Sequence, residues 1–227
     1  MRTRRHDAEL LDQPHHDAAE LEASLAHVAA VNRWLGGTGP LRRRLGALAA
    51  RMGPLTVLDV GAGNGDTLAA LPSGPHAREW RLIGLDAHAQ VASLLARRHA
   101  GRVRTVRGDA LRLPFADDAV DAAVTVLTLH HFPDPLAVRL LAEMARVARR
   151  LVLVSDLERR PLNYLGARAL AATWWRRNRL TRHDGPLSVL RSFTVGELRE
   201  LGRRAGLAEP LVRRHHPFRL VLEGTPR

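Results

Sequence analysis

The spacing of apolar residues changes repeatedly along the chain, and each change marks a predicted element. Residues 1–17 are polar and His-rich and predict a frayed terminus. Over 18–35 the apolar positions Leu21, Leu25, Val28, Ala29 and Leu35 recur at helical intervals, and Gly36 and Gly37 supply the stop. A second helix is predicted over 41–52, ended by Gly53 and Pro54. Short apolar runs then alternate with amphipathic ones. Strands are predicted over 55–60, 81–85, 103–107, 120–127 and 151–155, and helices over 65–71, 88–99 and 135–148. That alternation predicts an α/β fold, a parallel, doubly wound sheet whose ligands bind outside the carboxyl ends of the strands. Residues 157–192, rich in Arg, Trp and Leu, break the pattern and predict a helical insertion over that face. Thr194 with Glu197 predicts a capping box opening a helix over 194–205. Two closing strands fall around 210–213 and 218–223.

Composition narrows the class. The chain has 227 residues, a size for one large domain, and its 45% hydrophobic content is too high for a disordered chain. Cysteine is absent, which excludes disulfides, thiolate nucleophiles and Cys-ligated metal centres. No apolar run reaches the roughly 18 residues of a membrane span. The basic first residues lead into acidic ones without an apolar stretch, unlike a secretory signal, so a cytoplasmic protein is expected. The formal net charge of +12 would attract polyanions. All 35 basic residues, however, are arginines scattered in short groups, and only 4% of residues are aromatic. This predicts a solvated basic surface, with nucleic acid not the expected partner.

The chemistry-bearing segment is 57–66, VLDVGAGNGD, in which a strand runs into a glycine-rich turn and a helix. Gly61, Gly63 and Gly65 suit backbone that approaches a ligand closely. A dinucleotide turn would carry glycine where Asp66 stands. Asp59 and Asp66 bracket the turn and would repel a pyrophosphate; they suit cationic groups such as an ammonium and a sulfonium. Asp86 ends the second strand, where a carboxylate can accept from both ribose hydroxyls. Asp109 follows the third, placed to accept from an adenine amino group.

From about Thr56 to Asp156 the chain resembles the class I S-adenosylmethionine-dependent methyltransferases. The likeness runs through VLDVGAGNGD, IGLDAH, RGDALRLPFADDAVDAAV and LTLHHFPDP, nearest the small-molecule branch that includes ubiquinone-biosynthesis enzymes. It implies a Rossmann-like sheet of seven strands, mostly parallel with the last antiparallel, and S-adenosyl-L-methionine as cofactor. It implies that Asp59, Gly61, Ala62, Gly63 and Gly65 approach the methionyl moiety and that Asp86 and Ala87 hold the ribose. Asp109 and Ala110 would read adenine, and Leu127 would line the adenosine and methyl region. Residues 1–53 would be a helical segment covering the cofactor, and 54–227 the methyltransferase domain, with the insertion at 157–192. The pieces VNRWLGG (31–37) and HDGPLSV (183–189) resemble a bacterial subgroup often encoded beside type III polyketide synthases, which implies a phenolic or polyketide-like acceptor in secondary metabolism.

Methyl transfer is an in-line displacement for which the protein supplies alignment, dryness and a base. His130 and His131 leave the fourth strand at the active face, and a neutral imidazole there can take a hydroxyl proton. Adjacent side chains point apart, so at most one of the two acts, with His130 preferred and catalysis by alignment alone the alternative. Asp156 could orient that histidine or a substrate hydroxyl, and Tyr164, Trp174, Trp175, His183 and Asp184 could wall an aromatic substrate. His15 with His16, and His215 with His216, lack metal-ligand spacing, and no metal is expected. O-methylation of a small hydrophobic acceptor is the first reading. An RNA methyltransferase and a non-methylating protein that binds the cofactor are the alternatives.

Overall fold

The structure is a computed structural model describing residues 1, 3–74 and 76–226. Successive residues of the strand Thr56–Val60 (β1) enter opposite cores. Val57 packs with Ala122, Val124, Leu151 and Leu153, whereas Leu58 and Val60 pack with Ala123, Val152 and Val154. This period of two, repeated in neighbouring strands, makes a sheet that is apolar on both faces and needs helices on both. Strands Arg81–Asp86 (β2), Val103–Arg107 (β3), Val120–Val126 (β4) and Ala148–Leu157 (β5) run parallel to β1 through the order β3-β2-β1-β4-β5. Arg219–Thr225 (β7) adds antiparallel to β5, and Ala208–His215 (β6) closes the edge antiparallel to β7. The sheet is thus seven-stranded and mostly parallel.

One face is covered by helix Asp134–Val147 (α5), through Ala137, Leu140, Leu141 and Met144, and by Val195–Arg204 (α8), through Leu198 and Leu201. The other is covered by Gly39–Met52 (α2), Asp66–Ala70 (α3) and Ala89–Arg98 (α4), through Leu41, Leu45, Leu68 and Leu95. The capping box of α8 forms as its sequence predicts: Thr194 accepts from Glu197 N, and Glu197 accepts from Thr194 N. Helix Ala18–Trp34 (α1) starts at Asp17, whose carboxylate accepts from Glu20 N. The stretch after β5 folds as two helices, Pro161–Ala172 (α6) and Arg179–Arg191 (α7), which pack on each other and, through α7, on α1.

Two departures from the sequence expectations matter for the site. The first residues are docked and not frayed. Arg4 donates to the carbonyls of His130 (3.0 Å), Phe132 (2.8 Å) and Arg191, and Leu10 and Leu11 donate their amides to Asp184 (2.8 and 2.9 Å). Charged residues hold this segment where an apolar pattern would have announced docking, so hydrophobic periodicity is silent about it. Second, β4 ends one residue early, because Leu127 has φ +56° and turns the chain away from the sheet.

Candidate active site

A cavity of about 860 Å³ opens beyond the carboxyl ends of β1, β2, β4 and β5, within the size range of small-molecule sites. Its two ends differ in chemistry. At the first end the turn after β1 is pinned to β2, because the amides of Gly61 and Ala62 both donate to the Leu85 carbonyl (2.8 and 3.0 Å). Gly61 has φ +75°, and a Cβ there would lie 2.3 Å from Thr128 Cγ2, so only glycine fits. Gly63, at φ +57°, faces open space: a Cβ would meet nothing nearer than Leu25 Cδ2 at 3.9 Å. The Asp86 carboxylate accepts from Gly63 N (3.1 Å) and His88 N (3.0 Å), which fixes its orientation. Burial raises its pKa against those two donors. Asp59 is buried beneath the turn, its Oδ1 lacks a hydrogen-bond partner, and burial with the charge of Asp86 pushes its pKa up to about 7.

At the second end, His130 and His131 stand in the short turn Leu129–His131 after β4. Asp156, from β5, holds His130 twice, accepting from its backbone N (3.0 Å) and pairing with its Nδ1 (2.7 Å). The other ring nitrogen of His130 lies 3.5 Å from Glu9 Oε1. Burial would push the imidazole pKa down, but Asp156 and Glu9 outweigh it and raise the pKa to about 9. The same charges act in reverse on the acids. Burial would raise the Glu9 pKa, yet His131, His130 and Arg191 hold it near about 2. His131 pairs through Nδ1 with Asp12 (2.9 Å) and lies 3.5 Å from Glu9 through Nε2. Arg191 donates to the carbonyls of Asp7 (2.6 Å) and His131 (2.5 Å), tying the N-terminal segment to α7.

Nine of the expected cofactor and catalytic residues lie on the cavity wall: Gly61, Ala62, Gly63, Asp86, Ala87, Ala110, Leu127, His130 and His131. Others stand elsewhere. Gly65 is buried against Leu95 and His99 at the start of α3. Asp109 is exposed and off the wall, its carboxylate accepting from Leu111 N (2.8 Å). Asp156 is fully buried behind His130, so it orients that ring and does not meet a substrate directly. Tyr164, Trp174 and His183 do not line the cavity. The reason is helical phase. Asn163, Gly166, Ala167 and Leu170 form the inward stripe of α6, and Tyr164 is rotated out of it beside Arg168. Trp174 is 39% exposed and stacks on Trp34 (5.0 Å), while its neighbour Trp175 lines the wall; Asp184 likewise lines it in place of His183.

Trp175 and Asp184, both expected from the sequence, line the cavity. Glu9, Arg4, Arg191 and Arg219 were not expected, all fixed by contacts between distant segments that no local pattern signals. Nor was a metal expected. Among the described residues, Glu9, His130 and His131 form the one group that could hold an ion, with one ligand atom each within 4.8 Å of the others. As they stand, these groups satisfy one another and their neighbours: Ser188 Oγ donates to Glu9 (2.9 Å), and Asp156 and Asp12 take the two rings.

Residues 57–150 match the methyltransferase domain family. That stretch is a methyltransferase domain of the class I S-adenosylmethionine-dependent type. Among curated relatives of this chain, a demethylmenaquinone methyltransferase of Roseiflexus sp. is 37% identical over 117 residues, covering 49% of this chain and 46% of that one. A phthiotriol/phenolphthiotriol dimycocerosates methyltransferase of Mycobacterium tuberculosis is 32% identical over 178 residues, covering 76% of this chain and 60% of that one. The chain spans about half the length of these relatives, 46% of the first and 60% of the second. Its fold is similar to a SAM-dependent methyltransferase from Aquifex aeolicus, with TM-score 0.63, 14% identity and coverage of 94% of this chain and 100% of that one. It is also similar to an O-methyltransferase from neocarzinostatin biosynthesis solved with S-adenosyl-L-homocysteine and 1,4-dihydroxy-2-naphthoic acid. That likeness has TM-score 0.54 and 26% identity, over 76% of this chain and 49% of that one. S-adenosylmethionine is the cofactor of the family, and the first end of the cavity fits it. Gly63 leaves open wall, Asp86 keeps lone pairs free beside two backbone donors, and the buried Asp59 oxygen is an acceptor without a donor. No helix among the described residues is long and apolar enough to cross a membrane.

Proposed function

We propose that this methyltransferase transfers a methyl group to the hydroxyl oxygen of a small, largely apolar acceptor, a phenolic or polyketide-like molecule of secondary metabolism. The observation that carries the reading is the continuity of one cavity from the turn at Gly61–Gly63 and Asp86 to His130 and His131, with an apolar wall of Ala167, Leu170, Trp175 and Val189. Asp86 would accept from the ribose diol, Ala87, Ala110 and Leu127 would enclose the nucleoside, and Gly61, Ala62 and Gly63 would leave room for the methionyl chain, with the Asp59 carboxyl, half-ionised at neutral pH, beneath it. The bound cofactor supplies an electrophilic methyl on a sulfonium. Residues 1–53 act as the cover, with the docked N-terminal segment closing the histidine end, and 157–192 as the acceptor wall.

His130 takes the acceptor's proton. Asp156 holds Nδ1 and Glu9 Oε1 stands 3.5 Å from Nε2, so the acceptor hydroxyl would reach Nε2 beside Glu9. A pKa of about 9 makes the ring mostly imidazolium at neutral pH, and only its minor neutral form can accept a proton. Turnover on a weakly acidic hydroxyl should therefore climb with pH through the neutral range toward about 9. The quinone- and phenol-related names of the relatives, and the dihydroxynaphthoic acid of the structural neighbour, support an aromatic acceptor. The test is incubation with methyl-labelled cofactor and a panel of phenols, alkylresorcinols and pyrones, with bulk RNA alongside. Label on a small-molecule oxygen is expected; label in RNA alone would move the acceptor to the alternative reading.

A further inference from the structure

Arg219 stands out among the buried cations. It is 1% exposed, it lies on the cavity wall, and Nε, Nη1 and Nη2 are all without a hydrogen-bond partner. Guanidinium groups are almost never fully buried unless paired, because losing water without gaining a partner is costly. The contrast is internal to this chain. Arg4 donates to the His130 and Phe132 carbonyls and to Asp134, and Arg191 donates to the Asp7 and His131 carbonyls. Arg219 has no such contact. The carboxylate that attracts it, Asp156, is already engaged by the His130 ring, the His130 amide and the Leu157 amide.

Its position in the fold separates it from the cofactor end. Arg219 opens β7, and because β7 is antiparallel to β5, this first residue sits beside Leu157 at the carboxyl edge of the parallel strands. Along that edge the order is β2 with Asp86, β1 with the glycine turn, β4 with His130, β5, then β7. At about 4.8 Å per strand, the Arg219 main chain stands about 14 Å from the glycine turn and about 10 Å from the end of β4. Between the histidines and Arg219 the wall carries Leu157, Phe218, Ala167 and Leu170.

We propose that Arg219 is an anion subsite for the acceptor, receiving a carboxylate carried at the far end of the apolar body whose hydroxyl is presented to His130. A guanidinium suits this because its planar fork matches a carboxylate with two parallel donors, and a dry wall strengthens both. The inference rests on the methyl-transfer reading for the role of His130, but not for the ligand chemistry at Arg219, which can be read by binding alone.

The test compares a hydroxynaphthoic acid, with hydroxyl and carboxyl at opposite ends of the ring system, against its primary amide. Both are titrated calorimetrically into protein loaded with S-adenosylhomocysteine, and both are then offered as acceptors with S-adenosylmethionine. The wild type should prefer the acid at least tenfold in Kd and in KM. Arg219→Met, which keeps the volume, should bring that preference to within about twofold while its affinity for S-adenosylhomocysteine is retained. Arg219→Lys should restore part of it. An acid preference that persists in Arg219→Met, no preference in the wild type, or a loss of cofactor affinity would each overturn the proposal. If the acid preference depends on Arg219 but neither compound is methylated, the subsite stands and the methyl-transfer reading fails.

Discussion

At the cofactor end of the cavity the groups proposed for the cofactor come from two adjacent strand ends: Asp59 and the Gly61–Gly63 turn at β1, and Asp86 at the end of β2. At the histidine end the groups come from five separated segments. Glu9 and Asp12 belong to the N-terminal stretch, His130 and His131 to the turn after β4, Asp156 to β5, Ser188 and Arg191 to α7, and Arg219 to β7. The first end uses backbone donors and two carboxylates, Asp86 and the buried Asp59, set by short-range chain geometry. The second alternates acid and base side chains, so each group's charge state depends on the others, as the opposite pKa shifts of His130 and Glu9 show. A cofactor shared across a family can be served by a fixed local frame, whereas an acceptor particular to one enzyme is met by an assembled surface.

The sharpest way to break this comparison is to damage the assembled end alone. His130→Ala should lower methyl transfer about 10²- to 10⁴-fold, the usual contribution of a positioned base. Affinity for S-adenosylhomocysteine should hold, because Asp86 and the glycine turn are untouched. His131→Ala should cost less, since His131 faces Asp12 and Glu9 and is not held by Asp156. Single-turnover rates with calorimetry on the same preparations check both. A parallel fall in cofactor affinity would mean that the two ends are not separable.

The local end has its own counterpart. Asp86→Ala should weaken cofactor binding by about 1.5–3 kcal/mol, the range for hydrogen bonds to a charged group. Unchanged affinity in a folded variant would place the ribose elsewhere.

That contrast also sets what the sequence made legible. The β1 turn was readable because glycine spacing, strand pattern and following acids are all local, and the capping box at Thr194 and Glu197 was readable for the same reason. The phase of α6 and α7 was not. Both have a weak apolar stripe, Pro186 sits within α7, and Trp174 and Trp175 fall in the turn between the two helices, so nothing in the pattern distinguished Trp175 from Trp174 or Asp184 from His183. The docking of residues 4–12 was invisible because it rests on Arg4, Arg191 and Asp184 bonding to backbone across more than a hundred residues of chain.

A smaller effect sharpens that last point. Asp184→Ala removes the acceptor for the Leu10 and Leu11 amides, each bond to a charged group being worth about 1.5–3 kcal/mol at most. Hydrogen exchange should rise locally over residues 9–12 with little change in the sheet. Unchanged protection there would show that Asp184 does not hold the segment down.

The β1–β2 end fits S-adenosylmethionine and not a dinucleotide. Thermal unfolding with S-adenosylhomocysteine, and separately with NAD, tests this most directly. At a concentration of 100 times Kd, S-adenosylhomocysteine should stabilise the protein by about 2.7 kcal/mol, raising Tm, while NAD at the same concentration should leave Tm unmoved. Equal stabilisation by NAD, or none by S-adenosylhomocysteine, would contradict the account.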